Sequence, residues 1–373
     1  MLNKLMTPET KKLFKAMDRA GFEMRFVGGC VRDAMLGVEP KDIDFCTDAT
    51  PDEMLDVATI NKFGFIPTGI DHGTVTLVVQ GEPFEVTTLR VDAETDGRHA
   101  TVEFTRDFEK DAERRDLTIN AMSMDKDGRV YDYFNGSEDL ANRVVRFVGD
   151  ARKRVEEDYL RILRYFRFAA RFDAQMDQET LAIFADPDVL AGLGRVSVER
   201  FWLEMSKLLT YKARTRIMDA IFKTGVNVPL GIFRLNAVEL DRATDALTAL
   251  ATLVPESGLD AFFDFWKMAS DEEKKVRWLV GNRDVVSDLL TVEDMLLVTP
   301  RDFVVSWLEI QGDSKMAQYA REFNVPTFPV SGKDLLAAGM KPGPQMGQRL
   351  RRMEDAWKVS RFSKSKDELL EVE

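Results

Sequence analysis

The chain has 373 residues, 45% hydrophobic and 31% charged, with a formal net charge of −12. That length and composition describe a globular protein of two or three domains and exclude a disordered or low-complexity chain. Cys30 and Cys46 are too few for a disulfide framework and fit a reducing cytosol; without a basic-plus-apolar leader or an apolar run long enough for a bilayer, secretion and membrane spanning are excluded and a cytoplasmic location is expected.

In residues 8–20, Leu13, Phe14 and Met17 recur at helical spacing, which predicts an amphipathic helix against the first sheet. Phe22, Met24 and Phe26 alternate with Glu23 and Arg25, a strand pattern. Gly28-Gly29 then allows a tight turn, and Val31 to Leu36 forms a short helix stopped by Gly37. A helix opening at a glycine turn presents free N–H groups that suit a phosphate. Asp42-Ile43-Asp44-Phe45 has period two. As a strand it puts both carboxylates on one face and Ile43 in the core. Adjacent carboxylates repel unless a cation lies between them, and an oxygen-only ligand set suits Mg²⁺. Singly, a Gly-Gly is usually a turn and an Asp-x-Asp a solvated loop. Together, a phosphate cradle one short helix upstream of a carboxylate pair is the equipment for nucleotidyl transfer with two metal ions.

Gly28-Gly29-Cys30-Val31-Arg32-Asp33-Ala34-Met35-Leu36-Gly37, followed by Lys41-Asp42-Ile43-Asp44, resembles the signature of the polymerase-β nucleotidyltransferase superfamily. More narrowly it resembles class II tRNA nucleotidyltransferases, the CCA-adding enzymes, and the related bacterial poly(A) polymerases. Thr50-Pro51-Asp52-Glu53 reads as a helix start. Thr74 to Val79, a turn at Gly81-Glu82-Pro83, and Phe84 to Leu89 read as a β-hairpin. The resemblance implies that Glu85 is a third acidic residue of the site; the competing reading is a glutamate protecting an edge strand. His72-Gly73-Thr74 resembles CCA-adding enzymes more than poly(A) polymerases. The polar residues 91–109, with a turn at Asp96-Gly97, resemble the family's flexible loop, in which Arg98 is the basic residue to watch.

Arg114-Arg115-Asp116 before an apolar helix start resembles the family's ribose-recognising motif. Arg115 can meet a phosphate or sugar oxygen with its forked guanidinium, and Asp116 can accept from a 2′-hydroxyl. Arg152 to Arg171 reads as one helix, with Tyr159, Ile162, Leu163, Phe166, Ala169 and Ala170 on its apolar face. Arg161, Arg164, Arg167 and Arg171 gather opposite, with almost no acidic partner in the local sequence, and so call for an anion. The resemblance implies that Asp158 and Arg161, at i and i+3, template the base edge of the incoming nucleotide. Arg164 and Arg167 would hold phosphates or order that template.

The chain is acidic overall, yet residues 143–171 carry nine Arg or Lys against four acidic residues, and 341–366 is also basic. A basic seam on an acidic body is compatible with RNA. Beyond 172 the chain reads as all-helical. Lys333 and Lys341, beside glycine turns, suit phosphate contacts. With only His72 and His99 in the chain, the His-Asp phosphohydrolase domain of some relatives is excluded.

The expected fold is α+β: a small mixed-sheet nucleotidyltransferase head (1–147), then a helical neck (148–210), body (211–325) and tRNA-binding tail (326–373). The resemblance implies addition of CCA to the 3′ end of tRNA from CTP and ATP, without a nucleic-acid template and with Mg²⁺. Asp42 and Asp44 would hold the metal, and Gly28, Gly29 and Arg32 the triphosphate. Neither DNA nor a membrane is an expected partner. The alternatives are a bacterial poly(A) polymerase or an enzyme adding only CC or only A.

Overall fold

A computed structural model describes residues 2–67, 69–96 and 99–371, with the side chains of 92–102 outside the description. It is α+β, as expected. Helix α1 (Pro8–Ala20) is capped by Thr7 and ends at Gly21 in the left-handed conformation. It buries Leu13, Phe14 and Met17. Strand β1 (Met24–Val27) leads through Gly28, at φ +72°, into α2 (Gly29–Met35). Strand β2 (Asp44–Thr47) precedes α3 (Pro51–Asn61), where Thr50 and Glu53 form a reciprocal capping box. Next come β3 (Gly64–Ile66), β4 (Thr74–Val79) and β5 (Glu82–Thr88). The β4–β5 turn sits one residue earlier than the sequence suggests. Gln80 and Gly81 both adopt positive φ, which matches the twist of a two-residue hairpin and frees Glu82 and Pro83 to pair.

Part of the stretch 91–109, expected as a loop, is in regular structure. Strands β6 (Arg90–Asp96) and β7 (His99–Phe104) pair as an antiparallel ribbon. The stretch is polar in composition, yet Ala100, Val102 and Phe104 alternate with Thr101 and Glu103, a strand period that the loop reading passed over. Gly97 and Arg98 lie outside the described residues. Helix α4 (Phe108–Glu113), strands β8 (Ser123–Met124) and β9 (Val130–Tyr131), and α5 (Gly136–Ala141) follow.

The main sheet has the order β3-β4-β5-β2-β1-β8-β9, with β2 and β5 parallel and the other pairs antiparallel. One face packs under α1, where the Phe14, Phe26 and Phe45 rings meet at 4.9–5.6 Å between centroids. The alternation in β1 does not point Arg25 at solvent. Its guanidinium is buried between the rings of Phe108 and Tyr131, 3.7 and 3.6 Å from their centroids. Cation–π contact and an ion pair with Glu23 replace its hydration there.

Strand β10 (Val144–Val145) precedes α6 (Ala151–Glu157) and α7 (Leu160–Phe172). The predicted single helix 152–171 is thus two. Asp158 is extended, at φ −157°, and its carboxylate accepts the Leu160 N–H at 3.1 Å. A side chain that caps the next helix competes with continuation of the one before. Strand β11 (Gln175–Met176) pairs parallel with β10 and interrupts the otherwise helical chain beyond 172. Then come α8 (Gln178–Phe184), α9 (Pro187–Leu193), α10 (Val198–Leu209) and further helices. Tyr159 lies against Gly192 of α9, where a Cβ would come within 2.0 Å of its ring.

The chain divides into two compact units, 1–284 with 310–312, and 285–309 with 313–373. In the second, Val330, Leu335, Met353, Trp357 and Leu369 form a small core. No described helix is long and apolar enough to cross a membrane.

Candidate active site

Parallel pairing sets Asp44 of β2 directly opposite Glu85 of β5, on one face of the sheet. Phe45 and Val86, one step along, are buried on the other face. The strand begins at Asp44, so Asp42 is an exposed bend residue and Ile43 is only half-buried, contrary to the period-two reading. In the same register Asp42 would meet Pro83, which has no N–H for the ladder. Burial raises the Asp44 carboxyl above the ordinary carboxylate range, and the charges of Glu85 and Asp42 push the same way against Arg115.

Asp44 and Glu85 face a wall of arginines, and Asp42 is not among the lining residues described. A cavity of about 440 Å³ is lined by Gly28, Gly29, Asp44 and Glu85 together with Arg32, Arg90, Arg114, Arg115, Arg164, Arg167 and Arg171. Two glycines let guanidinia close in. A Cβ on Gly28 would lie 3.4 Å from Arg115 Nη1, and one on Gly29 would lie 3.6 Å from Arg32 Nη2. Arg32 is buried, paired with Asp33 at 2.9 Å, and donates to Asn120 Oδ1. Burial pulls its guanidinium below the ordinary value; Asp33 opposes, while Arg171 and Arg167 add to the pull. An anion in the cavity would reverse that.

The arginines of α7 are not without acidic partners. Arg161 pairs with Glu157 at 2.6 Å, Arg164 with Asp116 at 2.6 Å, Arg171 with Asp33 at 2.9 Å, and Arg167 with Glu204 of α10. Asp33, Asp116 and Glu204 come from distant parts of the chain, which local charge counting does not see. Asp116 is fully engaged: Oδ2 takes Arg164, and Oδ1 takes the Leu117 N–H and Asn120 Nδ2. Burial would raise its carboxyl, but Arg164 beside it holds it below the ordinary range. The Arg115 fork is turned to Asp111, 3.0 Å away.

Asp158 and Arg161 do not line this cavity among the described residues. Asp158 pairs with Arg200 of α10 at 2.7 Å, and Arg161 also donates to the Arg154 carbonyl at 3.0 Å. Lys333 and Lys341 are exposed in the second unit. Sequence reasoning gave no role to Arg90, Asn120 or Asp111, although Arg90 follows Glu85 on the same segment and the other two flank Arg115.

Because the folded-state pKa of Asp44 is raised, its stabilising contribution is present below the ordinary carboxylate pKa and is lost as pH rises through the folded value. Without metal, Asp44→Asn should therefore melt about 1–3 °C higher than the parent at pH 7.5, with the gap closing near pH 4. Thermal melts in chelator at the two pH values check this. A variant that melts lower at pH 7.5 would contradict it.

The Poly A polymerase head domain model matches residues 24–146. The chain is 39% identical to CCA tRNA nucleotidyltransferase 1, mitochondrial, of Danio rerio, covering 98% of this chain and 90% of that protein. It is 34% identical to the CCA-adding enzyme of Levilactobacillus brevis, covering 90% of each. The crystal structure of the Bacillus stearothermophilus CCA-adding enzyme in complex with CTP superposes with a TM-score of 0.79 at 26% identity, over 97% of this chain and 96% of that one. A nucleotidyltransferase head carrying a carboxylate pair opposite an arginine wall, with such identity along nearly its whole length, belongs to the CCA tRNA nucleotidyltransferase family.

Proposed function

We propose that this chain adds C, C and A to the 3′ end of tRNA from CTP and ATP, without a nucleic-acid template. The observation that carries this reading is the register of Asp44 against Glu85, facing an arginine-lined cavity sized for one nucleotide. In the reaction the terminal 3′-oxygen attacks the α-phosphorus, and the bond to pyrophosphate breaks. Arg32, seated beside the Gly28-Gly29 turn, draws the triphosphate in and offsets its charge. Arg115 and Asp116 serve the ribose side. Asp158 and Arg161 read the base edge, Arg164 and Arg167 order that pair, and Lys333 and Lys341 meet tRNA phosphates. The head, neck, body and tail division follows these roles.

Asp42 and Asp44, with Glu85 beside them, would hold Mg²⁺. Among the described residues no three His, Cys, Asp or Glu side chains converge as a closed metal cage. Mg²⁺ does not require one, since it keeps waters and takes substrate phosphates alongside one or two carboxylates. The raised pKa of Asp44 fits a site that a cation would settle. Bound there, the ion would lower the pKa of the RNA hydroxyl and neutralise the departing pyrophosphate. A cytoplasmic location belongs to the same reading.

Incubation with tRNA lacking its CCA end tests the proposal. CTP alone should extend it by two residues, ATP alone by none, and the two together by three. Long extension with ATP alone would indicate a poly(A) polymerase, and arrest at CC with both nucleotides a partial enzyme.

Binding of tRNA through exposed lysines should be salt-dependent, because each phosphate contact releases counterions. The Lys333→Ala, Lys341→Ala double variant should weaken tRNA binding by roughly 3–10-fold and reduce the salt slope by about 2, with little change in the KM for nucleotide. Filter binding across a salt series measures both, and an unchanged slope would remove these lysines from the interface.

A further inference from the structure

Asp111 on α4 is 3% exposed and is not part of the nucleotide wall. It grips two residues of that wall at once. Oδ1 accepts Arg114 Nε at 2.9 Å, and Oδ2 accepts Arg115 Nη2 at 3.0 Å. Oδ1 also takes the backbone N–H of Arg90, the first residue of β6, at 3.3 Å. The Arg90 guanidinium in turn donates to the His72 carbonyl. One carboxylate therefore ties the root of the β6–β7 ribbon to the two arginines ahead of Asp116.

The geometry of Arg115 shows what this grip accomplishes. Its Nη1 lies where a Cβ on Gly28 would be 3.4 Å away, so the guanidinium is seated against the phosphate turn. Among the described residues, its Nε is buried with no hydrogen-bond partner. A long side chain has many rotamers, and a buried donor left unmade disfavours this one. The ion pair with Asp111 holds the guanidinium in place despite that.

We propose that Asp111 is a positioning residue for nucleotide binding, fixing the Arg115 guanidinium beside the Gly28 turn and coupling it to the base of the β6–β7 ribbon. The inference rests on the proposed nucleotidyl transfer at this cavity. Arg115 stands on the side of the nucleotide that CTP and ATP share, so loosening it acts on both alike. It leaves the base-reading contacts untouched.

The test is steady-state kinetics of Asp111→Asn with CTP and ATP, alongside Arg115→Ala and the double variant. In Asp111→Asn, KM should rise about 10–100-fold for both nucleotides by a common factor, with a smaller change in kcat and an unchanged CTP/UTP ratio. The loss in the double variant should fall short of the product of the two single losses, because with Arg115 gone Asp111 has only Arg114 and the Arg90 backbone left to hold. If Asp111→Asn does not fold by circular dichroism, Asp111→Glu serves instead. It keeps the charge, displaces the carboxylate by one methylene, and should raise both KM values about 3–10-fold. KM values within twofold of the parent in the folded variant, or losses that multiply in the double variant, would overturn the assignment. A parent enzyme that transfers no nucleotide would instead overturn the proposed function.

Discussion

Asp44→Ala and Asp42→Ala should each abolish both C and A addition, with kcat/KM falling on the order of 10³-fold or more, while tRNA binding stays within about twofold. The two substitutions reach the same result from different structural positions. Asp42 is exposed and precedes the strand, so its removal disturbs no packing and its loss is a loss of chemistry alone. Asp44 is half-buried on β2 beside Glu85, and its replacement relieves charge repulsion rather than opening a core. Neither variant should therefore melt below the parent in the absence of metal. The basic residues proposed for tRNA lie elsewhere, which is why binding should persist. Single-turnover incorporation measured with filter binding on the same preparations decides the matter. Turnover within about tenfold of the parent would be too small a loss for a missing metal ligand, and the carboxylate assignment would have to be abandoned.

The head was legible in the sequence wherever a local rule has one physical solution. The glycine turn at Gly28, the helix start at Thr50 and the hairpin strands β4 and β5 each follow from residues within a few positions of one another. What escaped is what needs the rest of the fold. The break at Asp158 depends on a side chain capping the next helix and meeting Arg200, 42 residues away. The arginines of α7 look unpaired along the helix, because Asp33 and Glu204 reach them only after the chain has folded back. Asn120, bridging Arg32 and Asp116, carries no charge pattern to flag it. In the β6–β7 ribbon the period-two run Ala100, Val102, Phe104 is short and set in a polar stretch, so the stretch as a whole reads as a loop.

The base-reading proposal gains a competitor from these same pairings. A carboxylate at Asp158 only accepts hydrogen bonds; the Arg161 guanidinium only donates. Cytosine and adenine each present an amino donor beside a ring-nitrogen acceptor, which such a pair can satisfy. Uracil reverses the pattern, and each mismatch leaves a buried group unpaired at a cost of roughly 1–3 kcal/mol. Two mismatches give discrimination on the order of 10²–10⁴. In the free protein Asp158 is held by Arg200 at 2.7 Å and Arg161 by Glu157 at 2.6 Å, so a base must win both side chains from existing partners. Asp158→Ala should lose selectivity for CTP over UTP by at least about tenfold, and lose less affinity for the triphosphate, which Arg32 holds. The same substitution removes the α7 cap, a loss of about 1 kcal/mol that appears in the melting temperature and not in selectivity. Asp158→Asn separates the two effects. Asparagine caps a helix as well as aspartate does, but its amide both donates and accepts, so stability should be kept while selectivity falls. The ratio of kcat/KM for CTP and UTP, measured beside thermal melts for both variants, distinguishes the roles. If the ratio is unchanged in both and only the alanine variant melts early, Asp158 is a helix cap and the base edge is read elsewhere.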